Sequence, residues 1–211
     1  MCSRQRCAQG GFSLIEVAIV LVVIGTILGT VLQGRSMIAS AEFKSFRQQL
    51  REYRGAFDSF RDRYDALPGD LAEAAARFGG PNPPAASGGN GIIDNGPDCA
   101  GATQESCLAW QHLRFAGMLD GNPRAAGGDA SPAHPFGGVI ASFFTGAQGN
   151  GVFGHKLYVR DLPVELAMRL DRVEDNGLCD SGRVALITSA DCVDGGDSWP
   201  ADGTVDLIYA L

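Results

Sequence analysis

Gly10-Gly11-Phe12-Ser13-Leu14-Ile15-Glu16, followed at once by residues 17–32, VAIVLVVIGTILGTVL, decides how this chain is read. Val17 to Leu32 carries no charge, and Phe12 to Gln33 gives about the 20 residues that a helix needs to cross a hydrocarbon core. Glu16 lies near one end of that span. An ionisable side chain at such a place is expensive and normally paired, which makes it functional by default. The partner that the sequence offers is a free amino terminus, made by a cut just before Phe12.

Two plainer readings compete. A passive membrane anchor has the apolar run but no use for Glu16. A secretory signal peptide would explain the basic Arg4 and Arg6 and the A-x-A pattern of Ala39-Ser40-Ala41. Against it, Glu16 interrupts the start of the apolar region, the run exceeds the usual length, and Arg35 stands between the run and the cut. The rival from this side is a secreted or membrane-anchored binding domain that begins at Glu42 after cleavage behind Ala41.

The stretch G-F-S-L-I-E at Gly11–Glu16, with its long apolar helix, resembles the prepilin-type N-terminal signal of type IV pilins and related pseudopilins. The resemblance covers about a quarter of the chain, from Gly10 to the end of the first helix. It implies that a prepilin peptidase cuts between Gly11 and Phe12 and N-methylates Phe12. It further implies that Glu16 neutralises the amino terminus of a neighbouring subunit during assembly. One departure stands out: many pilins carry a proline midway along this helix, whereas this chain has Gly25, Gly29 and Gly34.

Beyond the apolar run, Phe43, Phe46, Leu50, Tyr53, Phe57, Phe60, Tyr64 and Leu67 recur in steps of three and four, one continuous helical stripe. The residues between them are largely charged. A membrane helix is therefore expected to continue as an amphipathic one until Pro68-Gly69 stops it, giving a rod of about 80 Å at about 1.5 Å per residue. A parallel coiled coil would need the same spacing, but large aromatics suit packing on a sheet better than narrow heptad seams.

The chain has 211 residues and a net charge of −7. Removing residues 1–11 takes away Arg4 and Arg6 and leaves −9. Such acidity disfavours broad nucleic-acid contact, which needs clustered cations. The same cut discards Cys2 and Cys7 and leaves Cys99, Cys107, Cys179 and Cys192 beyond the membrane. Four cysteines allow three connectivities; sequence order favours Cys99–Cys107 and Cys179–Cys192 over a zinc site, because neither C-x-x-C nor a histidine motif accompanies them.

After the long helix the pattern gives a short helix to Phe78 opened by Asp70 and Glu73 as a capping box, and a loop over 79–102. A helix over Gln104–Leu119 and strands over Val139–Phe144 and Val152–Val159 follow. A helix over Pro163–Val173 and strands over Arg183–Thr188 and Thr204–Ala210 complete the head. Asp171, Glu174, Asp175 and Asn176 before Gly177 read as a solvated helix end. Asp191, Asp194, Asp197, Asp202 and Asp206 are the one candidate ligand set, carboxylates among glycines that suit calcium but lack EF-hand spacing. No cofactor is otherwise expected. Gly88-Gly89-Asn90-Gly91 follows no strand-to-helix pattern and reads as a flexible loop, and nothing forms an active site.

These readings combine into an α+β chain: leader 1–11, membrane and filament-core helix 12–34, amphipathic stalk 35–67, and a head over 68–211 on a small antiparallel sheet with long loops. The function implied by the resemblance is structural, as a subunit of a type IV pilus or a type II secretion pseudopilus. A minor or tip adaptor is the rival within that class. Its partners would be prepilin peptidase, an inner-membrane assembly platform, other subunits and the membrane, with the head in the periplasm and no nucleic acid bound.

Overall fold

A helix with no internal proline, α1, runs from Leu14 to Tyr64. It ends where Asp65 turns left-handed at φ 52° while its N–H still bonds the Arg61 carbonyl at 2.9 Å, and Pro68-Gly69 blocks any continuation. The computed structural model describes residues 12–80, 84–94, 96, 98–99, 101, 103–145, 154–187, 192–193 and 198–211. The chain forms two units, one ending at Lys44 and the other Ser45–Leu211.

The Ser45–Leu211 unit holds a four-stranded antiparallel sheet, with β1 Ile140–Thr145, β2 Gly154–Pro163, β3 Val184–Leu186 and β4 Thr204–Ala210 in the order β1-β2-β4-β3. Register places Ser142, Leu157, Tyr209 and Val184 in one cross-strand row, and Ala141, Tyr158, Ile208 and Ala185 in the next. Both rows are buried. The strands therefore read as near-continuous apolar runs rather than clean alternation. A shift of register between Val159 and Leu162, with Asp161 at φ 55°, lets β2 continue to Pro163, farther than its β-prone run suggests. Val152, Phe153 and Thr188 of the expected strands lie outside the described residues.

The remaining helices are α2 Ala74–Phe78, α3 Glu105–Phe115 and α4 Val164–Glu174, with a 3-10 turn at Gly127–Ala130. Phe46, Leu50, Phe57 and Phe60 of the stripe are at most 2% exposed. The rings they meet belong mainly to helices and a loop rather than to strands. Tyr53 and Phe57 stand edge-on to Trp110 of α3 at 5.1 and 5.7 Å, and Phe60 stacks on His112 at 6.2 Å. Phe46 meets His134 and Phe136. Edge-to-face pairs of this kind add about 0.5–1.5 kcal/mol each beyond area burial. α3 in turn lies against β1, and α4 against β2, β3 and β4.

Two disulfides, Cys99–Cys107 and Cys179–Cys192, join Cα atoms 5.2 and 6.1 Å apart. Cys99–Cys107 ties the chain before α3 to the first turn of that helix, and Cys179–Cys192 closes a loop that contains β3.

Three local expectations change. The capping box at Asp70 does not form: α2 has no side-chain cap, and Asp70, 2% exposed, instead accepts the N–H groups of Asn90 and Gly91 at 3.0 and 2.5 Å. The loop containing them is accordingly pinned, since Glu105 also takes the N–H groups of Gly88 and Asp94 at 2.9 and 2.7 Å. The end of α4 is a clasp rather than a solvated cap. Asp171 is fully buried and accepts from Trp199 Nε1 and Gly177 N at 3.1 and 3.2 Å, Asp175 accepts from Arg183 N and Val184 N, and Glu174 holds Arg47 and Arg51 at 2.5 and 2.7 Å.

Candidate functional site

The start of α1 is built by Ser13, whose carbonyl accepts the N–H groups of Glu16 and Val17 at 3.0 and 3.2 Å. Glu16 is thereby fixed in the first turn, where the exposed N–H groups of a helix favour negative charge. Its carboxylate has no hydrogen-bond or ion-pair partner among the described residues. Phe12 and Leu14 are 83% and 87% exposed, and the large apolar residues from Ile15 to Leu32 are exposed around the helix. The stretch has a mean hydropathy of 2.6 with none of it buried, so it is long and apolar enough to cross a membrane.

The hydroxyl groups along this part of α1 are self-satisfied. The hydroxyls of Thr26, Thr30 and Ser36 bond the carbonyls three residues back, at 2.8–2.9 Å, the arrangement that suits a helix surrounded by hydrocarbon. Nothing lies within 4 Å of where a Cβ would sit on Gly25, Gly29 or Gly34, leaving bare backbone open to a close neighbour. Gly11, the residue before the expected cut, lies outside the described residues.

In the head, Asp191, Asp194 and Asp197 of the expected calcium set also lie outside the described residues. Asp206 accepts Tyr158 O–H at 2.6 Å and Asp161 N–H at 2.9 Å, one on each carboxylate oxygen. Burial and this bond push the Tyr158 phenol well above its ordinary value. Among the described residues no group of three His, Cys, Asp or Glu is placed to hold a metal ion. The described donors therefore do not make a calcium shell.

The three histidines serve packing. His112, fully buried, accepts Gly69 N–H on Nδ1 at 3.0 Å, and burial depresses it to about 4. His134 Nε2 bonds the Arg160 carbonyl at 2.7 Å, and burial lowers it. His155 is likewise lowered by burial.

Nothing in the sequence pattern singles out Arg114. It lines a groove of about 970 Å³ with Gln49, Tyr53, Ala56, Asp120 and His134. Its Nε and Nη1 are buried without hydrogen-bond partners. An arginine next to a run of helical apolar positions looks like an ordinary solvated residue until the loops that wall it are in place.

Of the comparisons with known proteins, one finds a match, and it covers a single segment. Residues 6–32 match the family described as the prokaryotic N-terminal methylation motif. That motif is the signature of type IV pilins and pseudopilins, and this chain carries it at the head of a membrane-length helix. No curated protein and no solved structure matches the chain.

Proposed function

We propose that the chain is a structural subunit of a type IV pilus or a type II secretion pseudopilus, cut by prepilin peptidase between Gly11 and Phe12, methylated on Phe12 and assembled through α1. The observation that carries this reading is Glu16, without a partner among the described residues, in the first turn of a helix whose large apolar residues up to Leu32 are exposed and which bears the methylation motif. A carboxylate in that position needs a cation, and the amino terminus of a neighbouring subunit supplies one. Apolar surface stripped from lipid then drives association at about 25 cal/mol per Å², while the Glu16 pair sets register more than strength.

Before assembly the subunit sits in the inner membrane through residues 12–34, with its head in the periplasm, where the two disulfides are at home. An assembly platform and other subunits are its partners, and its role is structural rather than catalytic. Support against the rival comes from Ala39–Ala41, which lie inside α1, whereas processing enzymes favour extended, exposed segments.

N-terminal mass spectrometry of the native protein tests the proposal. Methyl-Phe12 as first residue is expected; Glu42 would overturn it. Glu16→Ala is expected to insert in the membrane but fail to assemble, and normal incorporation of that variant would remove the role given to Glu16.

A further inference from the structure

Among the described residues of the head, the Lys156 amine and two guanidinium nitrogens of Arg114 are buried without a hydrogen-bond partner, and the two side chains resolve the cost differently. Lys156, on β2, is fully buried with Nζ unbonded, and burial lowers its pKa. An amine can shed its proton and become neutral. Arg114 cannot, because a guanidinium stays protonated in proteins. Its Nε and Nη1 donors need acceptors, and none is found among the described residues.

The groove that Arg114 lines is elongated. Along α1 it extends from Ser45 to Ser59, about 21 Å at about 1.5 Å per residue, room for about six residues of extended chain. Its wall also holds an unmatched acceptor. Gln49 donates from Nε2 to Tyr53 Oη and the Ala133 carbonyl at 2.8 and 2.9 Å, but its own Oε1 is buried and receives nothing. The groove thus asks for acceptors at Arg114 and a donor at Gln49. A free carboxylate offers acceptors alone, whereas a peptide with an acidic side chain offers both. Glu52 and Asp120 on the groove wall oppose a run of phosphates, which disfavours nucleic acid.

We infer that this groove receives an extended, carboxylate-bearing segment of a neighbouring copy of the chain, anchored on Arg114. Charge complementarity selects the second copy. The chain cut before Phe12 has 24 acidic and 15 basic residues, the 17 less Arg4 and Arg6, so each copy brings surplus carboxylates to a guanidinium that has none. The contact rests on the filament reading and adds a head-level anchor to it.

The test uses the full chain, processed and assembled in membranes, with a photo-crosslinking residue in place of Gln48 or Ser59. Both positions are exposed on the groove wall. Expected is a chain-to-chain crosslink whose captured peptide contains Asp or Glu. Arg114→Gln should lose at least about tenfold of that yield, the size of one charge-assisted pair, while Arg114→Lys should retain most of it. An unchanged thermal midpoint for Arg114→Gln shows that the loss is not misfolding. No self-crosslink, capture of a different protein alone, or equal yield in Arg114→Gln would overturn the inference. Equal yield alongside methyl-Phe12 and an assembly-defective Glu16→Ala would sink the groove contact alone. Absence of methyl-Phe12 would sink the filament reading instead.

Discussion

The carboxylate of Asp70 closes on the backbone of Gly91, accepting its N–H at 2.5 Å across 21 residues of sequence, with the N–H of Asn90 on its other oxygen at 3.0 Å. The glycine-rich loop over residues 88–91 is thus held by the chain's own acids, Asp70 and Glu105.

Asp70→Ala is expected to destabilise the head by about 2–4 kcal/mol, because two charge-assisted bonds vanish and two half-buried N–H groups lose their acceptor. Asp70→Asn, which keeps one acceptor oxygen, should cost less. Denaturant unfolding of the full chain in detergent measures both. A change under 0.5 kcal/mol for Asp70→Ala would mean that the loop is not held as described.

Gly69→Ala should be at least as harmful. Gly69 has φ 91°, and a Cβ there would overlap the Glu105 carbonyl on α3. Left-handed strain and a backbone overlap combine to about 3 kcal/mol or more. Gly203, also left-handed at φ 94° but with open space around it, is the control: Gly203→Ala should cost about 1–2 kcal/mol, the strain alone. Equal midpoints for the two variants would refute the close-packing account.

Reduction of the disulfides should lower head stability by about 2–3 kcal/mol each. The larger effect belongs to Cys179–Cys192, which spans 13 residues against 8 for Cys99–Cys107. Single Cys→Ser variants compared by calorimetry give the order directly.

His112 makes the head acid-sensitive. Burial is the main cause of its depression from 6.5 to about 4, and nearby Asp70 offsets it only in part. The folded state then binds fewer protons than the unfolded chain, so the contribution of His112 is full above pH 6.5 and is lost as pH falls through about 4. The loss approaches about 3 kcal/mol. His112→Gln should flatten that part of the profile, and parallel slopes between pH 7 and 4.5 for the two proteins would contradict it.

Much of this fold was legible because local rules and tertiary demands agree. The α1 stripe, the proline stop at Pro68 and the β-branched Thr204–Ala210 run each point to the element that forms. The acids were misread for the opposite reason. Asp70 fits a local cap and Asp171 a solvated helix end, yet their partners Gly91 and Trp199 stand 21 and 28 residues away. A carboxylate accepts the nearest N–H in space, and sequence spacing says little about which one that is.

By itself, the sequence determined the membrane-length helix, the methylation motif with Glu16 inside it, and the alternation of elements in the head, since all three depend on periodicity and order along the chain. Only the tertiary structure decided which acids clasp which loops, which helix meets the aromatic stripe, and that Nε and Nη1 of Arg114 find no acceptor among the described residues. Those outcomes depend on what burial removes from water, and burial exists only once distant segments have met.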